Sequence, residues 1–194
     1  MYSQSEEEKY ILEAFPEDKT NGRFLDIGAW NAKQLSNTRA LFELGWSGVM
    51  IEPSPGPMLQ LLGEYGNEPR IQLVQAAVGL EQMLVQFHIT DDAVSTVLDA
   101  EYEKWKDATK FHGSLEVPTI TPEYIARRWG GFDFINIDAE GQSVDLFLEI
   151  LRMGWQPCCF CVEIDRRMDE MSAAATRFYN LTYANGCNAV WVRK

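Results

Sequence analysis

Two short apolar runs, each with an acid at or just past its carboxyl end, constrain this chain more than any other feature. FLDIGAW (Phe24 to Trp30) carries Asp26, and GVMIEP (Gly48 to Pro53) carries Glu52. In an open parallel sheet, ligands bind beyond the carboxyl ends of the strands, where a loop turns into a helix. A glycine such as Gly28 lets the backbone approach a ligand closely. An acid at the end of the second strand, such as Glu52, can accept both hydroxyls of a ribose. The pair therefore reads as a nucleoside-cofactor site. Trp30 stands where the second glycine of a G-x-G would fall, so a glycine-rich cradle for a pyrophosphate is missing. That directs the expectation away from dinucleotides and toward S-adenosylmethionine, which carries no phosphate.

The rest of the chain supplies the alternation such a sheet needs. Ser5 and Glu8 make a capping box for a helix to about Phe15. Strands are expected at Phe24 to Gly28, Val49 to Glu52 and Ile71 to Val78, with helices at Ala32 to Leu44, ended by Gly45, and at Met58 to Tyr65. Met83 to Ile89 reads as a strand forming a hairpin with its predecessor, and polar Asp91 to Ser114 as a mobile, lid-like insertion. Then come a strand at Glu116 to Ile120 and a helix capped by Thr121-Pro122 and running to Trp129. Phe132 to Asp138 is a strand, Ser143 to Met153 a helix, and CCFCVEI a strand. Met168 to about Ala184 follows as a helix, and Asn188 to Arg193 as a single closing strand. The expected fold class is α/β: one doubly wound, Rossmann-like domain over residues 1–194. Its sheet should be mostly parallel in the order 3-2-1-4-5, with the last strand at the far edge.

Composition narrows the partners. With 29 acidic against 17 basic residues and a net charge of -12, the chain repels phosphate backbones, so nucleic acid is not an expected partner. The pairs Arg127-Arg128 and Arg166-Arg167 read as solvated. No apolar run approaches a membrane span, and MYSQSEEEKY has no signal-peptide pattern. The expectation is a cytoplasmic protein without a membrane partner. Cys158, Cys159 and Cys161 lack C-x-x-C spacing and alternate between strand faces, so they read as reduced structural thiols.

Four motifs, in order, resemble the FkbM-type methyltransferases, a branch of the class I S-adenosylmethionine-dependent fold. Asp26, Gly28 and Ala29 followed by Ser36-Asn37-Thr38 match a D-x-G-A-x-x-G…S-N-T pattern, with Ala32 in place of the last glycine. Gly45-Trp46, Gly48, Ile51, Glu52 and Pro53 match G-W-x-G…I-E-P. Ala76 to Gly79 match A-A-V-G, and Asp138, Glu140 and Gly141 match D-x-E-G. The resemblance implies an O-methyltransferase that uses S-adenosylmethionine on a small-molecule or sugar acceptor. It implies cofactor contacts from Asp26, Gly28, Ala29, Trp30, Ser36, Glu52 and Pro53, from Gln75 and Ala76 after the third strand, and from Asp138. The family fold closes with a pair of strands, whereas one is expected here.

The residues allow these roles and others. Glu52 fits a ribose acid. Asp26 resembles the family acid that supports the cofactor's amino-acid end, directly or through water, and by its own chemistry can stabilise the turn. Trp30 covers a ligand or fills a core gap. Ser36 to Thr38, placed within the first helix, either meet a cofactor carboxylate or bond back to their own helix. Asp138 and Glu140 are the catalytic candidates: Asp138 as base or donor-orienting group, Glu140 as a second acid or a helix-terminal charge. With Glu163 and Asp165 they also offer oxygen ligands to a divalent metal, although no metal is expected. His88 and His112 are minor base candidates. Ser95-Thr96 lie near the site without an assigned role, and Tyr102, Trp105 and Phe111 offer either an acceptor surface or internal packing. Two rivals stand beside methyl transfer: a methyltransferase fold that binds without turnover, and a metal-dependent nucleotide-sugar transferase.

Overall fold

A computed structural model describes residues 1–90 and 95–194. In chain order its elements are α1 (Glu7–Glu13), β1 (Arg23–Ile27), α2 (Arg39–Glu43), β2 (Ser47–Ile51), α3 (Pro55–Tyr65) and β3 (Ile71–Val74). Next come β4 (Ala77–Val78), β5 (Leu84–Thr90), α4 (Asp99–Trp105), β6 (Phe111–Ile120), α5 (Pro122–Trp129) and β7 (Phe134–Ile137). The chain finishes with α6 (Ser143–Arg152), β8 (Cys159–Glu163), α7 (Met168–Ala175), β9 (Tyr179–Ala184) and β10 (Asn188–Arg193).

The main sheet runs β3-β2-β1-β7-β8-β10-β9. Its first five strands are parallel, and β10 pairs antiparallel with both β8 and β9. The expected 3-2-1-4-5 core is therefore present. Side chains alternate between faces and build a core on each. Leu25, Ile27, Val49, Ile51, Ile135 and Ile137 pack with Ile125, Phe147 and Ile150 from α5 and α6. Phe24, Met50, Phe134, Cys159 and Cys161 face the other way, against Ile11, Leu41, Leu61 and Tyr65 from α1, α2 and α3. Each fully buried side chain of this size contributes about 1.5–3 kcal/mol. The strands are apolar on both faces because helices cover both.

Several expectations are corrected. At α1 the flanking Ser5 is not the cap: Ser3 Oγ accepts from the Glu8 N–H at 3.1 Å, and the Ser5 N–H donates to Glu7 Oε2 at 2.7 Å. Glu7 itself is fully buried and accepts from Asn185 and Asn188, tying α1 to the turn between β9 and β10. The helix expected from Ala32 begins only at Arg39. Its missing turns form a loop whose polar groups bond elsewhere: Asn31 Oδ1 takes the N–H groups of Lys33 and Gln34, and the Ser36 N–H donates to the Tyr2 carbonyl.

The strand expected over Ile71 to Val78 splits. β3 stays in the main sheet, while β4 pairs with β6 in a second sheet of order β4-β6-β5. Accordingly β5 is the antiparallel partner of β6, not of the strand before it. Of the expected lid, Asp91 to Val94 lie outside the described residues. The remainder forms α4 and the first half of β6, more regular structure than its polarity suggests.

The last expected helix stops at Ala175. Tyr179 to Ala184 form a strand instead, anchored by buried Tyr179 and paired along β10. The sheet thus closes with two strands, and β9, not the final strand, takes the edge. The Thr121 cap is as expected, its side chain accepting from the Tyr124 N–H at 3.2 Å.

Candidate active site

The carboxyl ends of β1, β2 and β7 open on one cleft. Asp26, Gly28, Ala29, Trp30 and Ser36 line it from the first-strand loop. Glu52, Pro53 and Ala76 line the side of β2 and β3, and Asp138 and Glu140 the side of β7. Of the cofactor contacts that the resemblance implies, Gln75 alone is outside the lining; it is exposed where the chain leaves β3 for the second sheet.

The first-strand loop is clamped onto β2. The N–H groups of Gly28 and Ala29 both donate to the Ile51 carbonyl, at 3.0 and 3.2 Å. Glu52, only 4% exposed, accepts from the Trp30 N–H through Oε2 at 3.0 Å and from the Ser54 N–H through Oε1 at 2.7 Å. The Ser54 side chain also bonds to it, and the carboxylate still has acceptor capacity for a ligand hydroxyl. Burial raises the Glu52 carboxyl above the usual range, opposed by the backbone N–H of Ser54 and then of Trp30. A solvated surface acid would show none of this. Trp30 adopts the left-handed region (φ 37°) and is half-buried against the cleft, so it does not fill the core.

Asp26 sits deeper, at 2% exposure. Thr38 Oγ1 donates to its Oδ2 at 2.6 Å and Asn136 Nδ2 to its Oδ1 at 2.9 Å. Asn136 Oδ1 in turn accepts from Asn37 Nδ2 at 2.9 Å. Burial pushes the Asp26 carboxyl up, while the bonds from Thr38 and Asn136 hold it down. Ser36, Asn37 and Thr38 precede α2 rather than lying within it, and their polar groups face this buried network. Asn136 was missed from sequence, although an amide inside the apolar run FINI was a signal for it.

On the other side, three carboxylates converge. Asp138 after β7, Glu140 two residues on and Glu163 at the end of β8 each place an oxygen within 4.8 Å of the others. Ser143 Oγ donates to Glu163 Oε2 at 2.9 Å and accepts from the Ala139 N–H at 2.8 Å, which joins the β7 loop to β8. Burial first, and repulsion between neighbours second, raise all three. Asp138 and Glu163 are close neighbours, both raised above the usual carboxylate range. Glu140 is pushed up to about 8 by burial and by Asp138 and Asp165. Asp165 is also raised by burial, but lies outside the three-carboxylate cluster. A hard divalent cation could be held by these oxygens only by displacing the protons that burial and repulsion favour.

Left-handed backbone gathers at this edge: besides Trp30, Glu140 (φ 36°) and Asp165 (φ 42°) adopt it. Each costs on the order of 1–3 kcal/mol, a strain typical of sites that hold side chains in set directions.

The insertion adds a wall that sequence reasoning largely missed. Phe87, Ser95, Thr96 and Val97 line the cleft, and Thr96 Oγ1 donates to the Glu140 carbonyl at 3.1 Å. His88 is not in the lining. Its Nε2 lies 3.1 Å from Asp99 Oδ1 and its ring stacks on Tyr102, which meets Phe111 edge-on. Trp105 Nε1 donates to Glu101 Oε2. Those aromatics pack within the insertion, away from the cleft, and His112 is exposed outside it. Cys159 and Cys161 are buried in the core, which pushes both thiols up. No helix among the described residues is long and apolar enough to cross a membrane.

Solved structures show where this architecture recurs. A methyltransferase FkbM from Methylobacillus flagellatus KT aligns with a TM-score of 0.56 at 12% identity, over 89% of this chain and 44% of that one. The chain thus spans under half the length of that structure. The protein yhhF of Escherichia coli aligns at 0.55 and 10% identity, over 99% and 87% of the two chains. The METTL16 MTase domain aligns at 0.53 and 12% identity, over 95% and 65%. At such identities the likeness is one of fold, that of class I methyltransferases. No curated protein matches the chain in sequence. The profile of the family described as Methyltransferase FkbM domain matches residues 26–181, from the first-strand acid to the edge strand, and the chain belongs to that family.

Proposed function

We propose that this chain moves a methyl group from S-adenosylmethionine to a hydroxyl oxygen of a small molecule or sugar. The observation that carries the reading is the placement of Glu52 and Asp138 on either side of the Gly28 loop in one cleft. Glu52 there offers the lone pairs a ribose needs. The crowd of carboxyl groups from Asp26, Glu52, Asp138, Glu140 and Glu163 disfavours phosphate and favours a cation. That electrostatic character fits a sulfonium donor and counts against a sugar nucleotide.

S-adenosylmethionine, when bound, supplies an electrophilic methyl on a positively charged sulfur. The chain's part is to align an acceptor and take its proton. During such a transfer the Asp138–Glu163 pair would take the acceptor's hydroxyl proton. A carboxyl raised toward neutrality is a better proton acceptor than an ordinary one, provided it starts ionised. Glu140 stands beside the pair and adds to the repulsion that raises Glu163.

Calorimetric titration tests the reading. S-adenosylhomocysteine should bind without added metal, and sugar nucleotides should not bind with or without magnesium or manganese. Binding of a sugar nucleotide only with metal would favour the glycosyl-transfer alternative. Donor binding with no turnover across hydroxyl acceptors would favour a binding protein.

A further inference from the structure

The direction of the hydrogen bonds around Asp26 leaves one unmatched group. Both Asp26 oxygens accept: Oδ2 from Thr38 Oγ1 at 2.6 Å, and Oδ1 from Asn136, which turns its Nδ2 toward it, at 2.9 Å. Asn136 then presents only its Oδ1 to Asn37, which must also donate, at 2.9 Å. The amide orientation of Asn37 follows from the chemistry of Asp26, two bonds away. What is left over is Asn37 Oδ1, an acceptor that is buried and without a hydrogen-bond partner among the described residues. Asn37 is 7% exposed and belongs to the cleft lining. The other branch of the network ends differently. Thr38 Oγ1 is spent on Asp26, and Ser36 Oγ accepts from the Arg39 N–H, so that branch has no orphan.

A buried acceptor without a donor is costly, and both amides before it are polarised by the same carboxylate. The matching ligand group is a donor, best a cationic one. A carboxylate would meet an oxygen with nothing to give. We propose that Asn37 Oδ1 accepts a hydrogen bond from the α-ammonium group of the donor's amino-acid end, with Asp26 acting on that group through Asn136 rather than touching it. This rests on the S-adenosylmethionine reading above, and it identifies Asn37 and Asn136 as a relay that carries the charge of a buried acid to the cleft.

The test is calorimetric binding of two ligands, S-adenosylhomocysteine and its desamino analogue, to the wild type and to Asn37→Leu. The wild type should prefer S-adenosylhomocysteine by about 10-fold or more, the scale of a hydrogen bond to a charged group. Asn37→Leu should bind the two ligands equally, near the wild-type affinity for the analogue. A wild type that binds both equally overturns the proposal, as does a variant that keeps the full preference. If Asn37→Leu does not fold, Asn37→Ser removes the reaching oxygen while leaving a polar group in the loop, and the same comparison decides. A wild type that binds neither ligand overturns the cofactor reading itself, a distinct outcome.

Discussion

Gly28 approaches the backbone of Asp138 so closely that a β-carbon at residue 28 would lie 1.7 Å from the Asp138 carbonyl oxygen. The contact sits at the carboxyl ends of neighbouring strands, where the Asp138 N–H also donates to the Ile27 carbonyl at 2.9 Å. The glycine is thus demanded by strand-to-strand contact as well as by the ligand loop. Gly28 has φ +77°, so alanine would add backbone strain to the overlap. Gly28→Ala should destabilise the fold by about 3 kcal/mol or more, read as a lower midpoint in urea unfolding. A loss under about 1 kcal/mol would show that β1 and β7 can separate freely at this end.

Glu52 serves two loops and, on the proposed reading, a ribose. Glu52→Ala should weaken S-adenosylhomocysteine binding by about 1.5–3 kcal/mol in calorimetry. Glu52→Gln, which keeps one acceptor oxygen, should recover part of the loss. Unchanged affinity in both variants would remove the residue from the ligand site.

Asp138 should matter more for turnover than for cofactor affinity. Asp138→Asn keeps the shape but cannot take the acceptor's proton, so methyl transfer should fall by about 100-fold or more. Cofactor affinity should change only modestly. Equal losses in affinity and turnover would make Asp138 a binding residue, and full activity on a genuine acceptor would reject its role.

The carboxyl cluster also sets a pH dependence of stability. Asp138, Glu140 and Glu163 hold their protons more tightly in the fold than in the unfolded chain, where such groups titrate near ~4. Their stabilisation is therefore complete below ~4 and is lost as pH rises toward the value of about 8 for Glu140. The melting temperature should fall between about pH 5 and pH 8.5, and Glu163→Gln, neutral throughout, should flatten the decline. Glu64, held low by Lys33 and then Arg39, titrates outside this window. A wild-type midpoint that is flat or rises across the range would contradict the cluster's ionisation.

Much of the site was legible because its acids fall at the ends of apolar runs. A buried strand leaves few polar residues, so Asp26, Glu52 and Asp138 stand out by position, and all three reach the same cleft. The companions of those acids were harder to find. Asn37 and Thr38 carry no mark that separates a buried network from a helix surface, and the helical spacing of Leu35, Leu41 and Leu44 hid the loop. Leu35 and Leu44 are in fact exposed. Glu163 read as an optional metal ligand because strand order alone does not say how closely its carboxylate approaches Asp138 and Glu140, or that Ser143 ties it to the β7 loop.

The sequence by itself determined the parallel core: apolar runs long enough to be strands, separated by helical patterns, pack in few ways, and their alternation sets both faces. It also determined Gly45, whose φ of +95° after α2 only glycine adopts cheaply, and the Thr121 cap. Tertiary structure decided the rest. Tyr179 to Ala184 became a strand because β10 offered an unpaired edge, and backbone pairing there outweighed local helical propensity. β4 left the main sheet because β6, distant in sequence, gave it a partner. The protonation of Asp138 and Glu163 was decided the same way, since a carboxyl's affinity for its proton depends on the charges and dielectric around it, and only the folded chain brings those together.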